Sequence, residues 1–365
     1  MKLITLIAFF VFTINTQLYA AVQSEMRSIL KSYIQIIPYT SPDKKLDDKK
    51  LLKYLGELKE SFKNTKHELY MKSPSFKSNI TFINSNILHI TKGVKLKHYG
   101  YAREQVKHLV SNCISCHAQL PSKKYDVITH KYADIIKDNI KTNYERGLFA
   151  YFLRDYEKAV EYLKKDISKL KDSYAQEERA SQVLKIYTMS LKDFSKAKNF
   201  VEGLRSEKNN HIDKDLLSKW IKDLNEWSKV PNQKLKQKKI SKLIKKYLTP
   251  IESSMQLGNQ FSFQVIFYSM HGILSNYLLE NPKTTLKTEI LYWFGLLENT
   301  SPSIYSLGDL YLVDCIKMSP KSKYAKKCYD SYSKSITFGF SGSAGTHIPA
   351  DIQLELDELQ KLIEK

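Results

Sequence analysis

Two thiols and an imidazole stand together in the run Cys113-Ile114-Ser115-Cys116-His117. On a helix Cys113 and Cys116 share a face, and His117, four residues after Cys113, lies on the same side. Covalent haem attachment asks for this set: two thiols to form thioethers with the porphyrin vinyl groups, and an imidazole reaching the iron from the same side. A thioredoxin-type redox pair would want a strand ahead of the motif, and a zinc site a second ligand pair; the sequence offers neither context. The run therefore predicts one haem c, with Cys113 and Cys116 as covalent anchors and His117 as proximal iron ligand. No second Cys-x-x-Cys-His follows and no other catalytic constellation is present, so neither a multihaem relay nor an enzyme is expected.

Haem of this kind is attached after export, and the chain opens accordingly. Lys2, an apolar stretch from Leu3 to Ile14 and then Leu18-Tyr19-Ala20 have the order of a secretory signal, with cleavage expected after Ala20 and the periplasm as destination. About twelve apolar residues are short for a membrane span, which needs about 20. No later segment is apolar enough to cross, and no cysteine follows the signal to carry a lipid. The formal charge of +20 suits an acidic partner, and export argues against nucleic acid. The densest basic run, Lys236, Lys238, Lys239, Lys242 and Lys245 around Ile240, Leu243 and Ile244, has the form of the solvated face of an amphipathic helix.

With 12 Gly and 10 Pro in 365 residues, few breakers interrupt the chain, and an all-α fold is predicted. Four apolar stripes of helical period lead up to and include the motif. The first is Met26, Ile29, Tyr33 and Ile36, ended by Pro38 and Pro42. Leu51, Leu55, Leu58 and Phe62 follow, then Phe76, Ile80, Ile83, Ile87 and Ile90 between Pro74 and Gly93. The fourth is Val106, Leu109, Cys113, Cys116 and Leu120, stopped by Pro121. Short connections between them predict an up-down-up-down haem-binding bundle over residues 21–125. Residues 140–365 change to shorter helix pairs with an internal echo: Tyr156-Glu157-Lys158-Ala159 and Phe194-Ser195-Lys196-Ala197 lie 38 residues apart. Gly147, Tyr151, Tyr156 and Ala159 resemble the tetratricopeptide helix-turn-helix, although its usual period is about 34. A tetratricopeptide-like or irregular helical array is expected there. The loop Ser341-Gly342-Ser343-Ala344-Gly345-Thr346-His347 lacks a preceding strand and a phosphate-binding Lys, and is expected to be a flexible connection into a capping helix.

By motif placement and helix count, residues 22–124 resemble the class II c-type cytochromes, the cytochrome c-prime group, whose four-helix bundle carries its haem motif near the end of the fourth helix. The resemblance covers under a third of the chain. One departure is plain: the family has a basic residue soon after the proximal His, whereas Ala118, Gln119, Leu120 and Pro121 follow His117 and the next bases are Lys123 and Lys124. Low-spin members use a first-helix Met as distal ligand. In an up-down-up-down bundle the start of helix 1 is level with the end of helix 4, which makes Met26 the candidate, against plain core packing. Five-coordinate members put an apolar residue there, the place of Ile29 or Leu30. His108 lies about 13.5 Å before His117 along one helix and cannot cap the same iron. His89 and His98 belong to the far end, His67 and Met71 fall off the stripe, and His130, His211, His271 and His347 lie in the second region.

Cys315 and Cys328 remain once haem has taken its pair. In an oxidising compartment they are expected to form a disulfide across the turn at Pro320, contributing about 3 kcal/mol. The functional expectation is an exported monohaem cytochrome that carries single electrons to an acidic periplasmic redox protein, with the array as docking arm. The competing readings are a haem-based binder or sensor of NO or CO, favoured by an apolar distal residue, and a helical scaffold whose haem is structural.

Overall fold

A computed structural model describes residues 28–40, 47–63, 74–117, 139–230, 235–255, 261–298, 306–343 and 345–364. Among them the fold is all-α, as the low breaker content predicts; the strands amount to one antiparallel pair of two residues each.

The first part consists of α1 (28–36), α2 (Asp48–Lys63), α3 (Pro74–Lys95) and α4 (Tyr99–His117). Asp47 caps α2 by accepting the Lys50 N–H at 3.1 Å, and Pro74 opens α3, where its missing N–H costs nothing. The anticipated stripes face inward: Leu51, Leu55 and Leu58 on α2, and Ile83, Ile87 and Ile90 on α3, are almost wholly buried. Two features tighten the α3–α4 hairpin. Lys97 adopts a left-handed conformation at the turn (φ 63°), and a Cβ on Gly93 would stand 2.9 Å from the Tyr101 ring. Asp48 then accepts from Lys97 and, at 3.1 Å, from the Tyr99 hydroxyl, which pins the turn to the start of α2.

Helix hairpins follow: α5 (Asn143–Phe152) with α6 (Tyr156–Ile167), α7 (Ser173–Lys185) with α8 (Phe194–Ser206), then α9 (Lys214–Trp227) and α10 (Gln237–Leu243). Aspartates cap four of these helices, Asp155, Asp172, Asp193 and Asp213 each accepting a backbone N–H of the first turn. The 38-residue echo is structural as well as sequential. Arg154 and Lys192 both take the left-handed conformation, at φ 63° and 54°; each precedes an aspartate cap; and Lys158 and Lys196 pair with those caps at 3.2 and 3.5 Å. Both α7 and α10 run on into a π-helical turn, at Ile186–Leu191 and Ile244–Leu248.

After the short α11 (Glu252–Met255) come α12 (Gln264–Glu280), α13 (Lys287–Glu298), α14 (Leu307–Met318) and α15 (Lys323–Gly339). Helix α12 is apolar on nearly every side and is accordingly central, packed against α7 and its π-helical turn, α9 and α13. The expected loop at 341–347 contains a small hairpin, β1 (Ser341–Gly342) paired with β2 (Gly345–Thr346), and Gly345 supplies a φ of +107° that other residues rarely adopt. The capping helix α16 (Ala350–Glu364) then lies on α14 and α15.

The two sequence regions share an interface at both ends of the array. Helix α5 packs on α4, and α13 and α14 return to pack on α3. The return contact is polar: the Asn79 amide donates to the Tyr311 hydroxyl at 2.7 Å, and the Ser78 hydroxyl donates to Asp314.

Candidate functional site

Helix α4 positions the motif. It continues to His117, so the backbone positions of Cys113, Cys116 and His117 share the last turns of one helix. Of the three side chains only that of Cys113 is described. It is buried (4% exposed) and lies in no disulfide. Burial pushes its thiol up to about 12, so it is protonated at neutral pH.

Its surroundings are apolar, with Val110 and Ile114 beside it on α4 and Tyr33 from α1 close enough for the two ionisations to oppose each other. The phenol of Tyr33 is itself held protonated, first by burial and then by Cys113 and Glu145. A buried thiol kept out of disulfides, in an apolar setting at the end of a continuous helix, suits a thioether to the apolar edge of a porphyrin. The donor set of the motif fits haem c. Met26, the candidate distal ligand, lies outside the described residues, as do His67, Met71, His130, Lys123, Lys124 and residues 1–20, where a signal segment is expected.

The other cysteines behave differently. Cys315 on α14 and Cys328 on α15 are joined, with a Cα–Cα separation of 6.4 Å, and both are fully buried. The expected staple across Pro320 is present. Of the histidines, His108 is exposed on α4, and His98 and His211 are exposed as well.

His271 is the exception that the sequence did not single out. It is buried on α12, its ring stacked 4.5 Å from that of Phe294, with Nδ1 3.2 Å from the Ser275 hydroxyl and Nε2 3.0 Å from Glu298. Burial alone would raise the Glu298 carboxyl, but His271 beside it and Lys185 nearby outweigh that and hold it below the usual carboxylate range. These are the residue types of a hydrolytic triad. Ser275 is wholly inaccessible, however, and one helical turn from His271, so no substrate reaches it. The group ties α12 to α13. A His and a Ser four residues apart in a predominantly apolar helix was the available signal.

No helix among the described residues is long and apolar enough to cross a membrane. Comparison with family models, with curated proteins and with solved structures finds no match to this chain.

Proposed function

We propose that this chain is an exported monohaem c-type cytochrome that carries single electrons in the periplasm. Cys113 and Cys116 would hold the porphyrin, His117 the proximal side of the iron, and Met26 the distal side. The bound group supplies a one-electron ferric–ferrous couple. The observation that carries this reading is the partition of the cysteines. Cys315 and Cys328 take each other, while Cys113 stands outside any disulfide near the end of α4, with its potential fellow anchor three residues on.

The helices after residue 140 form, in this proposal, a tetratricopeptide-like array that docks an acidic redox partner. Two features support it: the repeated turn at Arg154 and Lys192, and the close helix approach at Gly147, where a Cβ would come within 2.8 Å of Leu163. The charge of +20 supplies long-range attraction for such a partner.

Cys113→Ala and Cys116→Ala should each remove one thioether, shifting the pyridine haemochrome band toward that of a singly attached or free porphyrin. Electron paramagnetic resonance of the ferric protein tests the ligand set. A low-spin signal that becomes high-spin in Met26→Leu supports the carrier reading. A high-spin wild type would transfer the proposal to gas binding, and an unchanged mutant would remove Met26 from the iron.

A further inference from the structure

Exposed apolar side chains are unevenly spread over the molecule. Three of the eight large ones among the described residues, Leu88, Leu96 and Tyr101, at 50, 53 and 48% exposure, belong to the α3–α4 hairpin, a grouping that asks for a cause where single exposed leucines do not. Helix α14 covers the start of α3, where Ser78 donates to Asp314 and Asn79 to Tyr311. Further along, the outward side of α3 is open. Leu88, Lys92 and Lys95 follow at spacings of four and three on the side away from Ile83, Ile87 and Ile90, and Leu96, whose N–H still donates to Lys92 O at 2.9 Å, continues the row. The Tyr101 ring leans on Gly93 from α4 and flanks it.

The charge on this row has one sign. Helix α3 has lysines at 77, 92 and 95 and no acidic residue. At the turn Asp48 engages Lys97, while Lys92 and Lys95 meet no carboxylate among the described residues, so two uncompensated cations stand between two exposed leucines. Helix α16 is the contrast: Leu354 and Leu362 are exposed as well, but Asp351, Asp357, Glu358 and Glu364 accompany them. Leucine beside lysine with a half-exposed tyrosine suits a lipid interface. The leucines reach the acyl boundary, the lysine stems lie along apolar surface with their heads at the phosphates, and tyrosine sits at headgroup level. Two copies of the chain joined symmetrically through the row would oppose lysine to lysine, whereas anionic headgroups complement it. We propose that this face of the α3–α4 hairpin binds the surface of an anionic phospholipid bilayer, with Leu88, Leu96 and Tyr101 entering the interface and Lys92 and Lys95 among the phosphates. The inference does not require haem. Cys113 lies twelve residues beyond Tyr101 on α4, about 18 Å along the helix, and so stands clear of the contact.

Co-sedimentation of the protein, purified after export and signal cleavage, with vesicles of phosphatidylglycerol and phosphatidylcholine tests it. A chain of formal charge +20 meets anionic vesicles by long-range attraction in any case, so the variants carry the decision. Lys92→Gln/Lys95→Gln should weaken binding roughly twenty- to thirtyfold, at about 1 kcal/mol per lysine near such a surface. Lys238→Gln/Lys239→Gln changes the net charge equally at two exposed positions on α10 and should stay within about twofold of the wild type. Leu88→Asn/Leu96→Asn should weaken binding at least tenfold with the charge unchanged. If that pair does not fold, the two lysine pairs decide. Absence of binding to the anionic vesicles would overturn the proposal, as would leucine variants that bind like the wild type, or a loss in the α10 pair equal to that in the hairpin pair. Self-association in analytical ultracentrifugation that disappears in Leu88→Asn/Leu96→Asn, with vesicle binding intact, would assign the row to a second copy of the chain instead.

Discussion

Residues 28–117 and residues 139–364 are both helical, but they are held together by different chemistry. The first region is built on aliphatic stripes, Leu51, Leu55 and Leu58 against Ile83, Ile87 and Ile90, and its principal buried polar contacts are those that reach the array. The second buries Trp220, Trp227, Trp293, Tyr151 and Tyr311, and many of its tyrosines carry a hydroxyl that must be satisfied inside. Tyr151 meets Ser190 at 2.9 Å, Tyr268 meets Ser181 at 2.6 Å, and Tyr324 donates to Glu289. Aliphatic stripes say which face is buried and leave the choice of neighbour loose. Directional hydroxyl bonds and close glycine contacts fix the neighbour, and they carry the specificity of the array.

The largest expected effect comes from the staple. Replacing Cys315 and Cys328 together with Ala should cost about 3 kcal/mol, the usual worth of closing a loop of this length. Thermal melting followed by circular dichroism would read it, with haem content unchanged because Cys113 is not part of the pair.

Close approach should matter next. A Cβ on Gly295 would lie 2.5 Å from Leu312 Cγ, nearer than the 2.8 Å that Gly147 would give against Leu163. Gly295→Ala is expected to destabilise by about 1–3 kcal/mol and Gly147→Ala by less, since overpacking costs rise with the displacement forced on the neighbour. Equal melting temperatures for the two variants would contradict the comparison.

The sequence made some of this legible and concealed the rest for physical reasons. The α2 and α3 stripes could be read because leucine and isoleucine at a spacing of three or four leave no rival to an amphipathic helix. The Cys113-x-x-Cys116-His117 run could be read from its spacing, and the Cys315–Cys328 staple because these two cysteines are left over in a chain expected to be exported. The sequence does not mark Gly295 as the counterpart of Gly147, because its partners, Gly308 and Leu312, belong to a helix that follows residues 299–305 and share no signature with Ala159 and Leu163. The return of α14 onto α3 was hidden too. It depends on Asn79 and Ser78, polar residues that lie off the stripe from Phe76 to Ile90, and on Tyr311, 232 positions away from Asn79.

That junction supports a smaller test. Asn79→Ala removes the amide that donates to Ser75 O at 2.8 Å and to the Tyr311 hydroxyl at 2.7 Å, and should cost about 1–2 kcal/mol. If the two regions melt as one unit, the single transition moves down. A split into two transitions would show that α3 and α14 are what couple them. The smallest effect is on pH dependence. Glu298 is held below its unfolded value, so its contribution is present above about pH 4.3 and is lost as pH falls toward the folded value. Glu298→Gln should therefore flatten the acid limb of stability below about pH 4.3 and leave the neutral region without that pH slope.

The central claim is that Cys113 and Cys116 anchor a haem. The most direct measurement is acid–acetone extraction of the wild-type protein, expressed with a cytochrome maturation system, followed by a pyridine haemochrome spectrum and intact mass. One haem per chain should stay with the polypeptide, with the mass of the chain cleaved after Ala20 plus one haem. A chain that carries no haem, or releases it all to the acetone, would contradict the account.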